Sequence, residues 1–132
     1  MHEFSFASHI ADVVMQHVKK NKVKKVLSVS VEVGEFTMII PEYLTYCFDI
    51  VKANYNEIED AEMLIKTVPG SIKCNSCGAI TEISLKGSKE SQQPDKLTLM
   101  NPSVFTCSKC KDTDTKIISG KQALVKSMKV DD

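Results

Sequence analysis

The spacing of apolar residues predicts two amphipathic helices. Residues 4–20 form the first, with lysines suited to its last turn and an apolar face made by Phe6, Ile10, Val13, Val14 and Val18. Pro41 suits the first turn of the second helix, which we expect to end near Ala53. Its apolar stripe consists of Leu44, Cys47, Phe48 and Val51, continued by Tyr55.

Three further segments have the composition of strands. Val26–Val33 alternates, which predicts one face with Leu27, Val29, Val31 and Val33 and the other with Ser28, Ser30 and Glu32. Glu62–Val68 is a second strand, closed by the turn pair Pro69-Gly70. Lys116–Val130 is a third, bent or interrupted at Gly120.

The order of these elements predicts an α/β (α+β) fold in which two helices cover a three-stranded sheet. The cysteine-rich stretch interrupts the pattern. We therefore expect residues 1–69 and 115–132 to form one domain and residues 70–114 to form an inserted zinc-ribbon subdomain. Residues 86–96 are polar and predict a loop within that insert.

The amino-acid composition argues against two classes of protein, duplex nucleic-acid binders and membrane-spanning proteins. The 132 residues contain 17 lysines, no arginine and 17 acidic residues, so the net charge is zero, unlike a typical duplex nucleic-acid binder. No apolar stretch approaches the roughly 20 residues of a membrane span. The N-terminus has no signal-peptide pattern, so we expect a cytoplasmic protein, in which clustered cysteines favour metal binding over disulfides.

Two CxxC pairs, Cys74/Cys77 and Cys107/Cys110, are separated by 29 residues. Four thiolates at this spacing are typical of a closed tetrahedral Zn²⁺ site, which is structural because it leaves no open coordination position. Redox dithiols are the alternative, but neither pair opens a helix after a strand. The fifth cysteine, Cys47, is explained as a small buried apolar residue of the second helix.

Histidine at position 2 permits a second kind of metal site. The Met1 amine, the His2 backbone nitrogen and the His2 imidazole can chelate one ion in a plane, as Ni(II) and Cu(II) prefer, with a fourth donor from Glu3 or elsewhere. Alternatively, His2 is only a polar residue at a frayed terminus. His9 and His17 form no ligand pair.

With both features in place, the chain resembles the HypA/HybF family of nickel metallochaperones for hydrogenase maturation. The resemblance rests on the Met1-His2-Glu3 start, residues 31–35 at the strand end, residues 46–49 in the second helix, the two CxxC pairs, and Ser119-Gly120. It extends over nearly the whole chain.

The resemblance implies a nickel-binding α/β domain with an attached zinc domain, and no catalytic activity. Met1, His2 and Glu3 match the family's nickel site, and the four paired cysteines match its zinc site. It further implies delivery of Ni²⁺, with a HypB-type GTPase, to the large subunit of a [NiFe]-hydrogenase. Residues 36–40 contain no carboxylate or imidazole, and Glu42 is the nearest candidate for a further nickel ligand.

A zinc-ribbon interaction module that binds nucleic acid or scaffolds an assembly is the competing hypothesis. Its positive charge would come from Lys86, Lys89, Lys96, Lys109 and Lys111. Phe105 is the only aromatic residue in the insert that could stack on bases. A zinc enzyme would need an open metal position, which four thiolates do not leave. Both a monomer and a homodimer are compatible with the sequence.

Overall fold

The computed structural model describes residues 3–83 and 102–131, with the backbone alone for residues 102 and 103. Met1, His2 and the predicted loop at residues 86–96 lie outside this description. Within the described ranges there are two α-helices, α1 (Glu3–Asn21) and α2 (Pro41–Lys52). The same ranges contain six strands, β1 (Lys25–Gly34), β2 (Glu62–Val68), β3 (Gly70–Cys74), β4 (Ile80–Ile83), β5 (Thr115–Ser119) and β6 (Ala123–Asp131).

The strands form two three-stranded sheets. Their orders are β2-β1-β6 in the first sheet and β4-β3-β5 in the second. Within the second sheet, β3 pairs antiparallel with both neighbours, placing Ile72 opposite Thr81 on one side and Ile117 on the other. The predicted three-stranded sheet with two helices is therefore present, and the smaller sheet belongs to the cysteine-containing part of the chain.

Two predictions about the strands need correction. Leu27 was placed on the buried face of β1, but it is 51% exposed while Val26 and Ser28 beside it are buried. The alternation changes phase between Ser28 and Val29, because two adjacent residues are buried there. The single strand predicted over Lys116–Val130 is two strands, β5 and β6, which belong to different sheets.

The chain divides into two compact units. The first comprises residues 1–32, 39–66 and 123–132, and the second comprises residues 33–38 and 67–122. In the first, α1 packs against α2 and β6. Its buried apolar side chains come mainly from α1 and α2, and they include Phe6, Ile10, Val14, Leu44, Phe48 and Val51.

The second unit has a small core of its own. Ile72 of β3 and Ile83 of β4 are buried there. The partly buried side chains around them are Phe36, Met38, Val104 and Phe105. The Phe36 and Phe105 rings are tilted against each other with centroids 5.8 Å apart. This cluster lies on the same strands that lead into the first cysteine pair.

Three glycines of the second unit allow backbone segments to cross closely. A Cβ on Gly34 would lie 2.1 Å from the Gly120 carbonyl oxygen, and one on Gly120 would lie 2.5 Å from the Gly70 Cα. A Cβ on Gly70 would meet the Phe36 ring at 2.3 Å. Because real Cβ atoms do not approach so closely, this crossing requires residues without side chains.

Candidate metal centre

The structure brings the four paired cysteines together. Their Sγ atoms all lie within 4.8 Å of one another. The Cys74–Cys110 and Cys77–Cys107 sulfur distances are 3.5 and 3.6 Å. Four sulfurs at ~2.3 Å from a tetrahedral zinc ion would be separated by roughly 3.8 Å. The donor set and its spacing therefore fit structural zinc.

Each CxxC pair forms a turn with the same hydrogen bonds. In the first, the Gly78 N–H donates to the Cys74 carbonyl and the Cys77 N–H donates to the Cys74 sulfur, at 3.0 and 3.5 Å. In the second, the Lys111 N–H donates to the Cys107 carbonyl at 3.1 Å, and the Cys110 N–H donates to the Cys107 sulfur at 3.4 Å. Backbone donors thus stabilise negative sulfur in both turns.

The residue after each pair has a left-handed backbone. Gly78 has φ +77° and Lys111 has φ +65°. Glycine adopts this region freely, whereas lysine carries the steric cost of its Cβ. The Lys111 ammonium donates to the Ser108 carbonyl at 3.2 Å, which fixes the side chain over its own turn. Glycine is common after the second cysteine of such a turn. Lys111 replaces it here but keeps the same left-handed backbone conformation as Gly78.

Asn75 and Ser76, which lie between the two cysteines of the first pair, connect the first turn to the residues that follow the second. Asn75 donates from its backbone and its side chain to Asp114, at 2.9 and 3.0 Å. The Ser76 hydroxyl donates to the Asp112 carboxylate. The Ser76 hydrogen bond is the largest cause that lowers the pKa of Asp112. These contacts hold the first turn against the segment that follows the second.

The thiols lose their protons unequally. The Cys110 N–H is the largest of the causes that lower the pKa of Cys107 to about 6. The Asp112 N–H lowers the pKa of Cys110, but the hydrogen bond with Cys74, burial and contacts with the other thiols outweigh it and raise that pKa to about 12. One thiolate forms readily and a later one does not, because burial and the hydrogen bonds with the neighbouring thiols favour protonated Cys110. A bound metal cation stabilises all four cysteines as thiolates, because a cysteine must lose its proton to bind the metal.

The predicted nickel residues are described only in part. Met1 and His2 lie outside the described residues. Glu3 is the first residue of α1, and its Oε1 accepts a hydrogen bond of 3.2 Å from the Ile40 N–H. Residue identity carries no signal for this contact, since it joins residues 37 positions apart through a backbone donor. Within residues 3–83 and 102–131, the cysteine group is the one cluster of at least three potential metal ligands.

The remaining candidates are dispersed on the surface. Glu42 is exposed in the first turn of α2. His9 is exposed and stacks on Phe6 with ring centroids 6.3 Å apart. His17 is also exposed on α1. Of the five lysines proposed for nucleic-acid binding, Lys86, Lys89 and Lys96 lie outside the described residues.

Neither α1 nor α2 is both long and apolar enough to cross a bilayer.

Comparison with protein families gives one match over residues 1–130, to the model described as "Hydrogenase/urease nickel incorporation, metallochaperone, hypA". Hydrogenase maturation factor HypA of Desulfatibacillum aliphaticivorans is 32% identical over 133 residues, covering 100% of this chain and 88% of the relative. The protein of the same name from Methanopyrus kandleri is 27% identical and covers 99% and 94%. In both cases the similarity extends over most of the relative's length.

Solved structures support the same fold. The solution structure of the Ni metallochaperone HypA from Helicobacter pylori superposes with a TM-score of 0.64. It is 20% identical and covers 98% of this chain and 97% of its own. A second solution structure, described as HypA protein, gives a TM-score of 0.66 at 20% identity. The predicted α+β class with a zinc-binding subdomain is confirmed.

Proposed function

The chain belongs to the HypA family of nickel-incorporation metallochaperones, and from this we propose that it binds Ni(II) at its N-terminal segment Met1-His2-Glu3 and delivers it during [NiFe]-hydrogenase maturation. The family match over residues 1–130 carries this proposal, because it includes both the N-terminal residues and all four paired cysteines. The role in hydrogenase maturation follows from the family. The nickel ligands and the route of delivery are the proposed part.

The proposal assigns the resident zinc ion to Cys74, Cys77, Cys107 and Cys110. Zinc in a four-thiolate site neutralises charge and fixes the fold, and it performs no Lewis-acid chemistry because its coordination is complete. The backbone N–H groups of the two turns would stabilise the bound thiolates. The zinc site therefore supports the fold and does not take part in nickel transfer.

The cargo nickel would be held by nitrogen. A terminal amine, a deprotonated backbone amide and an imidazole give the planar nitrogen set that Ni(II) favours. This set is present at Met1 and His2 in any molecule with a free amino end. Since such a site is open to an incoming ligand, nickel can leave by ligand exchange. The proposed recipients are a HypB-type GTPase and, through it, the hydrogenase large subunit.

Nickel titration of zinc-loaded protein with a free Met1 amine tests the assignment. We expect about one nickel and one zinc per chain in the native protein. His2→Ala and a one-residue N-terminal extension should each abolish tight nickel binding while leaving zinc in place. His9→Ala is the matched control, since His9 is an exposed histidine of α1 that the site does not use. Wild-type nickel uptake by both altered proteins would exclude this site.

Acidification should weaken nickel binding in the same titration. The amine and the imidazole must both be deprotonated, and their ordinary pKa values are about 7.8 and 6.5. Affinity should therefore fall steeply as the pH drops from about 8 toward 6, and the release of the amide proton on binding should keep it rising more gradually above that range. An affinity that is constant over this range would contradict nitrogen coordination by these groups.

The family match does not favour the competing interaction module. The two functions differ in one measurable property, because phosphate contacts release counterions and give nucleic-acid binding a steep salt dependence. Stoichiometric nickel uptake without salt-dependent binding of nucleic acid supports the metallochaperone.

A further inference from the structure

The contact between Glu3 and Ile40 joins the starts of the two helices of the first unit. The Glu3 Oε1 accepts the Ile40 N–H at 3.2 Å in a partly buried setting. Glu3 is the first residue of α1, and Ile40 immediately precedes α2. The helices also pack against each other along their length. The carboxylate therefore fixes the first residue of α1 to a particular backbone atom.

The start of α2 has no side-chain cap of its own. Ile40 is the N-cap residue in an extended conformation, with φ −94° and ψ 116°, and its side chain cannot accept a hydrogen bond. In a capping box, a glutamate or glutamine at the third helical position accepts the N-cap N–H. That position is Tyr43 here, counted from Pro41 as the first. Glu3 supplies the missing acceptor from the other helix.

We propose that Glu3 is a positioning residue of the nickel site, whose side chain holds the Ile40 N–H and is not itself a nickel donor. Because Glu3 directly follows His2 in the chain, the contact anchors the residue next to the proposed nickel donors. This ordering lowers the entropic cost of closing the chelate rings at Met1 and His2. The inference rests on the proposed N-terminal nickel site and deepens it by assigning the role of the third residue.

Two pairs of variants separate the possible roles of Glu3. Glu3→Gln keeps an oxygen that can accept the Ile40 N–H but removes the carboxylate, whereas Glu3→Ala removes both. Ile40→Pro removes the donor while leaving Glu3 intact, and Ile40→Ala is its control because it keeps the N–H. Nickel affinity, the visible absorption bands of bound nickel, zinc content and folding by circular dichroism are measured for each protein.

A positioning role predicts near-native nickel affinity for Glu3→Gln and Ile40→Ala. Glu3→Ala and Ile40→Pro should each lose about tenfold or more, the scale of a hydrogen bond to a charged group. The double variant Glu3→Ala/Ile40→Pro should lose no more than either single variant. At nickel saturation the absorption bands should be unchanged in all of them, because the donor atoms are the same.

Different outcomes overturn the proposal. If Glu3→Gln loses as much affinity as Glu3→Ala and its nickel bands shift, the carboxylate is a ligand. If folded Glu3→Ala binds nickel as the native protein does, the contact has no role in the site. If Ile40→Pro does not fold, the comparison of Gln with Ala at position 3 still decides between these results.

Hydrogen exchange of the Ile40 amide separates this proposal from the proposed function. The amide should exchange slowly in native protein and in Glu3→Gln, and faster in Glu3→Ala, without any nickel present. Native protein that shows this protection but takes up no nickel would disprove the nickel site and leave the contact established. Nickel uptake with an equally unprotected Ile40 amide in all three proteins would disprove the contact alone.

Discussion

At the scale of single residues, the two cysteine turns are nearly the same structure built from different side chains. Gly78 and Lys111 both follow the second cysteine of a pair, and both have positive φ. A Cβ on Gly78 would meet no heavy atom within 4 Å. The cost of a side chain there is therefore backbone strain alone, which makes these positions a controlled comparison.

We predict opposite effects of exchanging these residue types. Gly78→Ala should lower the free energy of unfolding of zinc-loaded protein by about 1 kcal/mol, since alanine must adopt the left-handed region. Lys111→Gly should raise it by up to about 1 kcal/mol, reduced by the loss of the hydrogen bond to Ser108. Urea unfolding at fixed zinc concentration measures both, and a stabilising Gly78→Ala would contradict the strain argument.

A second glycine position should be much less tolerant. Gly34→Ala would place a Cβ 2.1 Å from a backbone oxygen that cannot rotate away. We expect a loss of about 2–3 kcal/mol, because the backbone crossing itself must open. Gly78→Ala is the matched control, as the same substitution in open space. Equal losses for the two variants in urea unfolding would show that the crossing relaxes easily.

At the scale of elements, one of the proposed zinc ligands lies at the end of a strand. Cys74 is the last residue of β3. β5 begins at Thr115, directly after the Asp114 that binds Asn75, and the Thr115 hydroxyl also donates to the Phe105 carbonyl at 2.7 Å. Zinc binding therefore fixes the point where β3 and β5 separate, and the core of this unit is too small to do so without it.

Zinc removal should consequently loosen the smaller sheet. Chelation or Cys74→Ser should increase amide hydrogen exchange in β3 and β5, whereas α1 and α2 should keep their protection. Cys47→Ser is the matched control, since Cys47 lies outside the cysteine cluster. Unchanged exchange in β3 after complete zinc loss, measured by mass spectrometry, would contradict a structural role for the metal.

At the scale of the whole molecule, sequence patterns predicted both helices and the location of the strands of the first sheet, but they did not predict β3 and β4 of the second. The helix pattern identified α2 from Pro41 onward, and the Gly120 signal correctly marked a break. The pattern could not separate β5 from β6, because strand partners are chosen by tertiary contacts. The exposure of Leu27 was missed for a similar reason, since a phase change in β1 leaves no signal in residue type.

The candidate site was predictable to the extent that it depends on spacing. Two CxxC pairs were sufficient to predict the cysteine cluster, because four thiolates at this spacing suit one metal. The left-handed Lys111 and the Glu3–Ile40 contact were not predictable. Lys111 stands where glycine is common in such turns. The Glu3–Ile40 contact uses a backbone donor, which residue identity does not reveal.

The pairing of β3 with β5 affects how the two metal sites can be studied separately. Excision of residues 70–114 would remove β3 and leave Thr115–Ser119 without the strand that places Ile72 opposite Ile117. An unpaired strand edge of this kind promotes aggregation, and Ile117 and Ile118 on this strand are already partly exposed. If such a shortened chain lost nickel delivery, the cause would be its insolubility and not the absence of zinc. Chelation of zinc and single ligand substitutions avoid this difficulty, because they leave the strand and its partner in the same polypeptide.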